Sequence, residues 1–141
     1  MDVNEPPRKA TYIGSFPVTL NNPRDRAQFI AKQLDSINKD PATKTTGTSV
    51  VISMALCGIK ISSLNAQETY MVHALRRVSF STCLSQLFAF AARDPGQPLN
   101  RQYCHVFRTP SVSYFHQNEN ENFRKNLKKS YSKNLWHHLQ I

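Results

Sequence analysis

The chain has 141 residues, 18 Lys and Arg against 9 Asp and Glu, and a net charge of +9. That length suits one ordinary domain able to bury a core without disulfides or metal. The charge points to polyanionic partners: nucleic acid, an anionic lipid surface, or acidic or phosphorylated peptides. Three cysteines, Cys57, Cys83 and Cys104, with no C-x-x-C spacing, argue against a disulfide framework or zinc site and for a reducing, cytoplasmic setting. MDVNEPPRKA lacks the apolar run of a signal peptide, and no window approaches a membrane span.

Residues 1–9, polar with a Pro-Pro pair, read as a flexible N-terminus. ATYIGSFPV, Ala10 to Val18, mixes aromatic and β-branched residues and reads as a strand, with Pro17 suiting an edge or an exit. NNPRDRAQFIAKQLDSINKD then opens with Asn22 as N-cap, Pro23 at the first helical position and Asp25 in the first turn. Ala27, Ile30, Leu34 and Ile37 make one apolar stripe, which predicts a helix over about 23–38 with that stripe in the core.

After the turn-rich DPATKTTGTS, the segment SVVISMALCGIKISS alternates. Val50, Ile52, Met54 and Leu56 share one face, and a break at Cys57-Gly58 re-phases the pattern to Ile59 and Ile61. ETYMVHAL and RRVSFSTC each read as a further strand, and LFAFAARDPGQPLNRQYCHVFRTP as two more around Asp94-Pro95-Gly96. One helix among about seven short strands predicts an α+β, orthogonal antiparallel β-sandwich or barrel.

No constellation for catalysis stands out, so an enzyme is not expected. His73 and His105 lie within strand patterns, where a hydrogen-bonded structural role is the simpler reading; His137-His138 are adjacent and lack the i, i+4 spacing of a helical metal pair. The sequence has no G-x-S-x-G, P-loop or dinucleotide fingerprint, and its carboxylates are scattered. No cofactor or metal is called for.

The basic segment FRKNLKKSYSKNLWHHLQI combines Arg124, Lys125, Lys128, Lys129 and Lys133 with Phe123, Tyr131 and Trp136, a mixture suited to phosphates and base stacking. Its apolar residues Phe123, Leu127, Tyr131, Leu135 and Leu139 recur at i+4 steps, however, which favours an amphipathic helix from about 121 with the lysines on its solvated side. Nucleic acid is therefore the less favoured partner.

Taken in order, YIGSFPV, GIKISS, MVHALRRVSFST and FAFAARDP…NRQYCHVF resemble the phosphotyrosine-binding (PTB) domain family of cytosolic adaptors, nearest those that pair such a domain with an SH2 domain. The resemblance covers about residues 10–109, within an expected domain of 10–110. It implies a pleckstrin-homology-like fold that takes up a peptide with an Asn-Pro-x-Tyr-like turn as an added strand. It also implies the receiving strand: Arg76, Arg77, Val78, Ser79, Phe80, Ser81 and Thr82, with Val78 and Phe80 facing the core and Ser79 and Ser81 facing outward.

For a phosphate, the resemblance matches Arg93 before the Asp-Pro turn, and Arg101 lies one residue out of register with a second basic position. A third falls on Thr11, with Lys9 or Arg8 as the nearest cations. Residues 111–141 depart from the Leu/Ala-rich closing helix of the family and read as an atypical basic tail, as an alternative C-terminal exon would make it. The expectation is a non-enzymatic, cytoplasmic signalling adaptor for tyrosine-containing peptides. The alternatives are an isoform whose tail disables the groove, and a basic module for nucleic acid or a phosphoinositide-bearing membrane surface.

Overall fold

The structure, a computed structural model, describes residues 7–93 and 101–110. Seven strands and one α-helix fall in these residues: β1 (Arg8–Val18), α1 (Pro23–Lys39), β2 (Thr48–Ala55), β3 (Gly58–Ser62), β4 (Thr69–Ala74), β5 (Val78–Leu84), β6 (Leu87–Ala92) and β7 (Gln102–Arg108). Short 3-10 turns occupy Pro41–Lys44 and Leu75–Arg77. Every pairing is antiparallel, in the order β4-β3-β2-β1-β7-β6-β5.

The sheet folds over on itself at β1. The first half of this 11-residue strand pairs with β2, Arg8 facing Ile52 and Tyr12 facing Thr48. Its second half pairs with β7, Gly14 facing Val106 and Val18 facing Gln102, with a register shift between Tyr12 and Gly14. A bulge raises the local twist and bends the strand, so one strand serves both layers. Ile52, Met54, Ile59 and Ile61 from the first layer then meet Phe88, Phe90 and Phe107 from the second in one buried cluster.

Helix α1 covers the outside of the second layer. Asn22 caps it, its side-chain oxygen accepting from the N–H groups of Arg24 at 2.8 Å and Asp25 at 3.3 Å. That satisfies donors otherwise left unpaired at a helix start. Ile30 and Leu34 are fully buried, with Ala27 and Ile37 packed beside them, against Phe80, Ala89, Ala91 and Val106. The stripe is a core face, as its spacing predicts.

Strand β6 shows why the layers fit. Phe88 and Phe90 point into the sandwich while Ala89 and Ala91 point to the helix. Small residues on that side let α1 approach, and large ones fill the interior. All six residues of β6 are buried.

Several local expectations shift. β1 begins at Arg8, two residues before the expected strand, and β2 ends at Ala55, which leaves Leu56 in the turn to β3. Arg76 and Arg77 are not strand residues but complete the 3-10 turn between β4 and β5. The Asp94-Pro95-Gly96 turn and the helix expected from about 121 lie outside the described residues.

Candidate functional site: the open edge at β5

Strand β5 is terminal in the sheet and pairs only with β6 among the described residues. A two-residue connection, Ser85-Gln86, joins them, with Leu84 opposite Leu87 and Ser85 at φ 53°. A left-handed residue there is what the primed turns of two-residue hairpins require. Residues flanking such a turn exchange the closing pair of hydrogen bonds, and bonded and non-bonded pairs alternate from there. Leu84, Thr82 and Phe80 therefore turn their N–H and C=O groups to β6. Cys83 and Ser81 turn theirs to the open edge.

The register slips between Val78 and Phe80, so Ser79 is the extra residue of a bulge. Beyond it, Arg93 N–H donates to the Arg77 carbonyl at 2.9 Å. Arg77 thus faces β6, which leaves the Val78 carbonyl facing outward along the edge, while the Val78 N–H donates to the Leu75 carbonyl and closes the 3-10 turn. The Ser79 hydroxyl donates to Gln102 Oε1 on β7, which ties the bulge down.

The bulge corrects the expected facing of the side chains. Val78 packs in the sandwich interior and Phe80 against α1, so they serve opposite cores. Ser81 does not face solvent: it is 2% exposed, and its hydroxyl has no partner among the described residues. An inserted residue reverses the facing of every position after it, and no residue of RRVSFST announces the insertion. Ser79, Thr82, Cys83 and Leu84 are half-buried and border the edge. The last two extend it beyond the sequence reading; the signal available was the two-residue turn at Ser85-Gln86.

Arg93 follows the last residue of β6 and Arg101 precedes the first of β7, where Ala92 faces Tyr103. The two arginines therefore flank one end of the β6–β7 pair, Arg93 half-buried and Arg101 exposed. Thr11 faces Arg108, at the other end of β7 from Gln102. Six residue steps separate those ends, roughly 20 Å. Thr11 and its neighbour Lys9 do not join the Arg93–Arg101 pair. Arg76 and Arg77 line a different groove, with Lys60.

His73 and His105 are buried, their rings 4.9 Å apart and both beside Phe90. Ser15 Oγ lies 2.6 Å from His105 Nδ1 and 2.5 Å from the Tyr12 hydroxyl. A serine and a histidine in contact could suggest a nucleophile and base, but an orienting group belongs on the other ring nitrogen of the histidine, whereas Tyr12 contacts the serine. Burial pushes the thiols of Cys83 and Cys104 up to about 12, so both stay protonated at neutral pH. No group of three His, Cys, Asp or Glu that could hold a metal occurs among the described residues. No helix there is long and apolar enough to cross a membrane.

A folded-over antiparallel sheet with a helix against one layer and a terminal strand open for pairing is a pleckstrin-homology-like frame. Residues 10–125 match the phosphotyrosine interaction domain (PTB/PID), and the chain belongs to that family of peptide-binding adaptor modules. Among solved structures, it is similar to the C-terminal phosphotyrosine interaction domain of APBB2 from mouse, determined in solution. The two are 21% identical with a TM-score of 0.65, over 94% of this chain and 90% of the mouse domain, a likeness of fold.

Proposed function

We propose that the β5 edge takes up a tyrosine-containing, Asn-Pro-x-Tyr-like peptide as an added antiparallel strand, in a non-enzymatic cytoplasmic signalling adaptor. The observation that carries the reading is the set of outward-facing backbone groups at Ser81 and Cys83, with the Val78 carbonyl beyond them, on a strand whose second edge has no partner strand among the described residues. Main-chain bonds of this kind supply affinity, and flanking pockets supply choice. Ser79, Phe80 and Thr82 shape the strand rather than offer it.

Phosphate on the tyrosine is recognised, in this reading, by Arg93 with Arg101. Both flank the end of the β6–β7 pair next to the Val78 end of the edge, since Arg93 is bonded to Arg77 across the strands. A dianion there would gain charge-assisted hydrogen bonds. Two arginines at this end of the sheet support a preference for the phosphorylated peptide rather than an absolute requirement.

The domain boundaries follow the same reading: 10–110 carries the peptide site and 111–141 is a basic tail. Titrating the full chain with matched Asn-Pro-x-Tyr and Asn-Pro-x-phosphotyrosine peptides, followed by backbone amide NMR, tests the proposal. Shifts centred on residues 78–84 are expected, larger at Arg93 and Arg101 with phosphate. Binding that leaves residues 78–84 unmoved would refute strand addition here.

A further inference from the structure

A second groove, separate from the β5 edge, lies where the β2–β3 hairpin meets β4 and the 3-10 turn Leu75–Arg77. Its volume is about 750 Å³. Lys60, Arg76 and Arg77 line it together with Cys57, Val72 and Ala74, and no carboxylate among the described residues does. None of these three cations makes an ion pair among the described residues.

The apolar component is equally specific. Val72 faces Lys60 across the β3–β4 pair, so the two side chains share one face of the sheet. Met71 and His73 are turned to the other side, Met71 packed on the interior cluster and His73 buried. Val72 is 66% exposed, the most exposed large apolar side chain among the described residues. β4 is the sheet's other terminal strand and carries neither proline nor a charged residue to discourage a partner.

We propose that this groove is a second docking site, for an extended segment of a partner protein that sets acidic side chains against Lys60, Arg76 and Arg77 and an apolar side chain over Val72. Charge selects that occupant. Another copy of the chain would bring the same three cations and a net charge of +9, and the chain's own residues 111–141 are net basic. Both are repelled where an acidic segment is drawn in and held in register. A flat anionic bilayer would meet the rim charges but leave the concave floor unfilled. The arginines assigned by sequence to the receiving strand thus act at a different site, and the adaptor can hold two ligands at once.

The test uses the full chain and a fluorescein-labelled peptide of alternating glutamate and leucine, with its lysine–leucine twin as the charge control. The acidic peptide should bind saturably, shift the amides of Lys60, Val72 and Arg76, and lose at least about tenfold in affinity to the double variant Lys60→Glu/Arg76→Glu. A Cys83→Pro variant, altered only at the β5 edge, should bind it within about twofold, which separates this site from the peptide edge. Cys57, exposed at the groove, supplies a readout that needs no substitution, because bound peptide should slow its alkylation. Unchanged affinity in the charge-reversal variant, no protection of Cys57, or capture by phosphatidylserine vesicles in place of the peptide would each overturn the proposal.

Discussion

Arg93 N–H donates to the Arg77 carbonyl at 2.9 Å, across a register slip that leaves Ser79 unmatched. This bond fixes which backbone groups of β5 are spent on β6 and which are offered to a ligand. Position by position, neighbours on the strand have opposite roles.

Proline substitution should separate those roles. At Thr82, proline removes a bond to β6 and should destabilise the domain by about 3 kcal/mol. At Cys83 the lost N–H faces the open edge, where proline is tolerated, and the cost should stay near 1 kcal/mol. Urea unfolding of both variants checks the difference, and equal losses would mean the alternation is wrongly phased.

Arg93→Glu should weaken a phosphorylated peptide by about tenfold or more and its unphosphorylated twin by much less, since an ionic hydrogen bond contributes about 1.5–3 kcal/mol. Calorimetric titration of both peptides against wild type and variant measures this. Equal losses would remove the phosphate pocket from this end of the sheet.

Backbone conformation supplies a pair of stability predictions of opposite sign. Ala66 sits at φ 61°, where its Cβ is strained, so Ala66→Gly should stabilise by about 0.5–1 kcal/mol and raise Tm by roughly 2–4 °C. A Cβ at Gly58 would meet the His73 carbonyl oxygen at 2.4 Å, backbone that must move. Gly58→Ala should therefore cost about 1–3 kcal/mol. Thermal melts read both.

Thiol chemistry should split one to two. Cys57 is exposed, whereas burial holds Cys83 and Cys104 near 12 and keeps them protonated. A chromogenic disulfide reagent at pH 7.5 should modify one thiol quickly in the native protein and all three in denaturant. The slow pair should stay slow up to about pH 10, because thiolate accumulates only as pH nears the raised values. Two fast thiols in the native state would contradict the packing of β5.

The readable parts of the fold were those governed by short-range chemistry. Asn22, Pro23 and Asp25 mark the start of α1, and the spacing of Ile30 and Leu34 marks its buried face, because capping and helical period act within a few residues. The break at Cys57-Gly58 was legible for the same reason. What escaped depends on partners distant in sequence. Ser81 is buried because a bulge two residues earlier reverses its facing, and Arg76 and Arg77 leave the strand because the chain must pass there from one layer to the other. The unbroken apolar run LFAFAA did carry a usable signal, since a strand buried on both faces has no reason to alternate.

Strand addition at β5 is the central claim, and one measurement addresses it most directly: amide NMR of the full chain and of Cys83→Pro, titrated with an Asn-Pro-x-phosphotyrosine peptide. In the wild type, the amides of Ser81 and Cys83 should shift and become protected from hydrogen exchange. In Cys83→Pro the fold should persist while affinity falls at least about tenfold. A folded Cys83→Pro variant that binds the peptide as tightly as wild type would contradict the account.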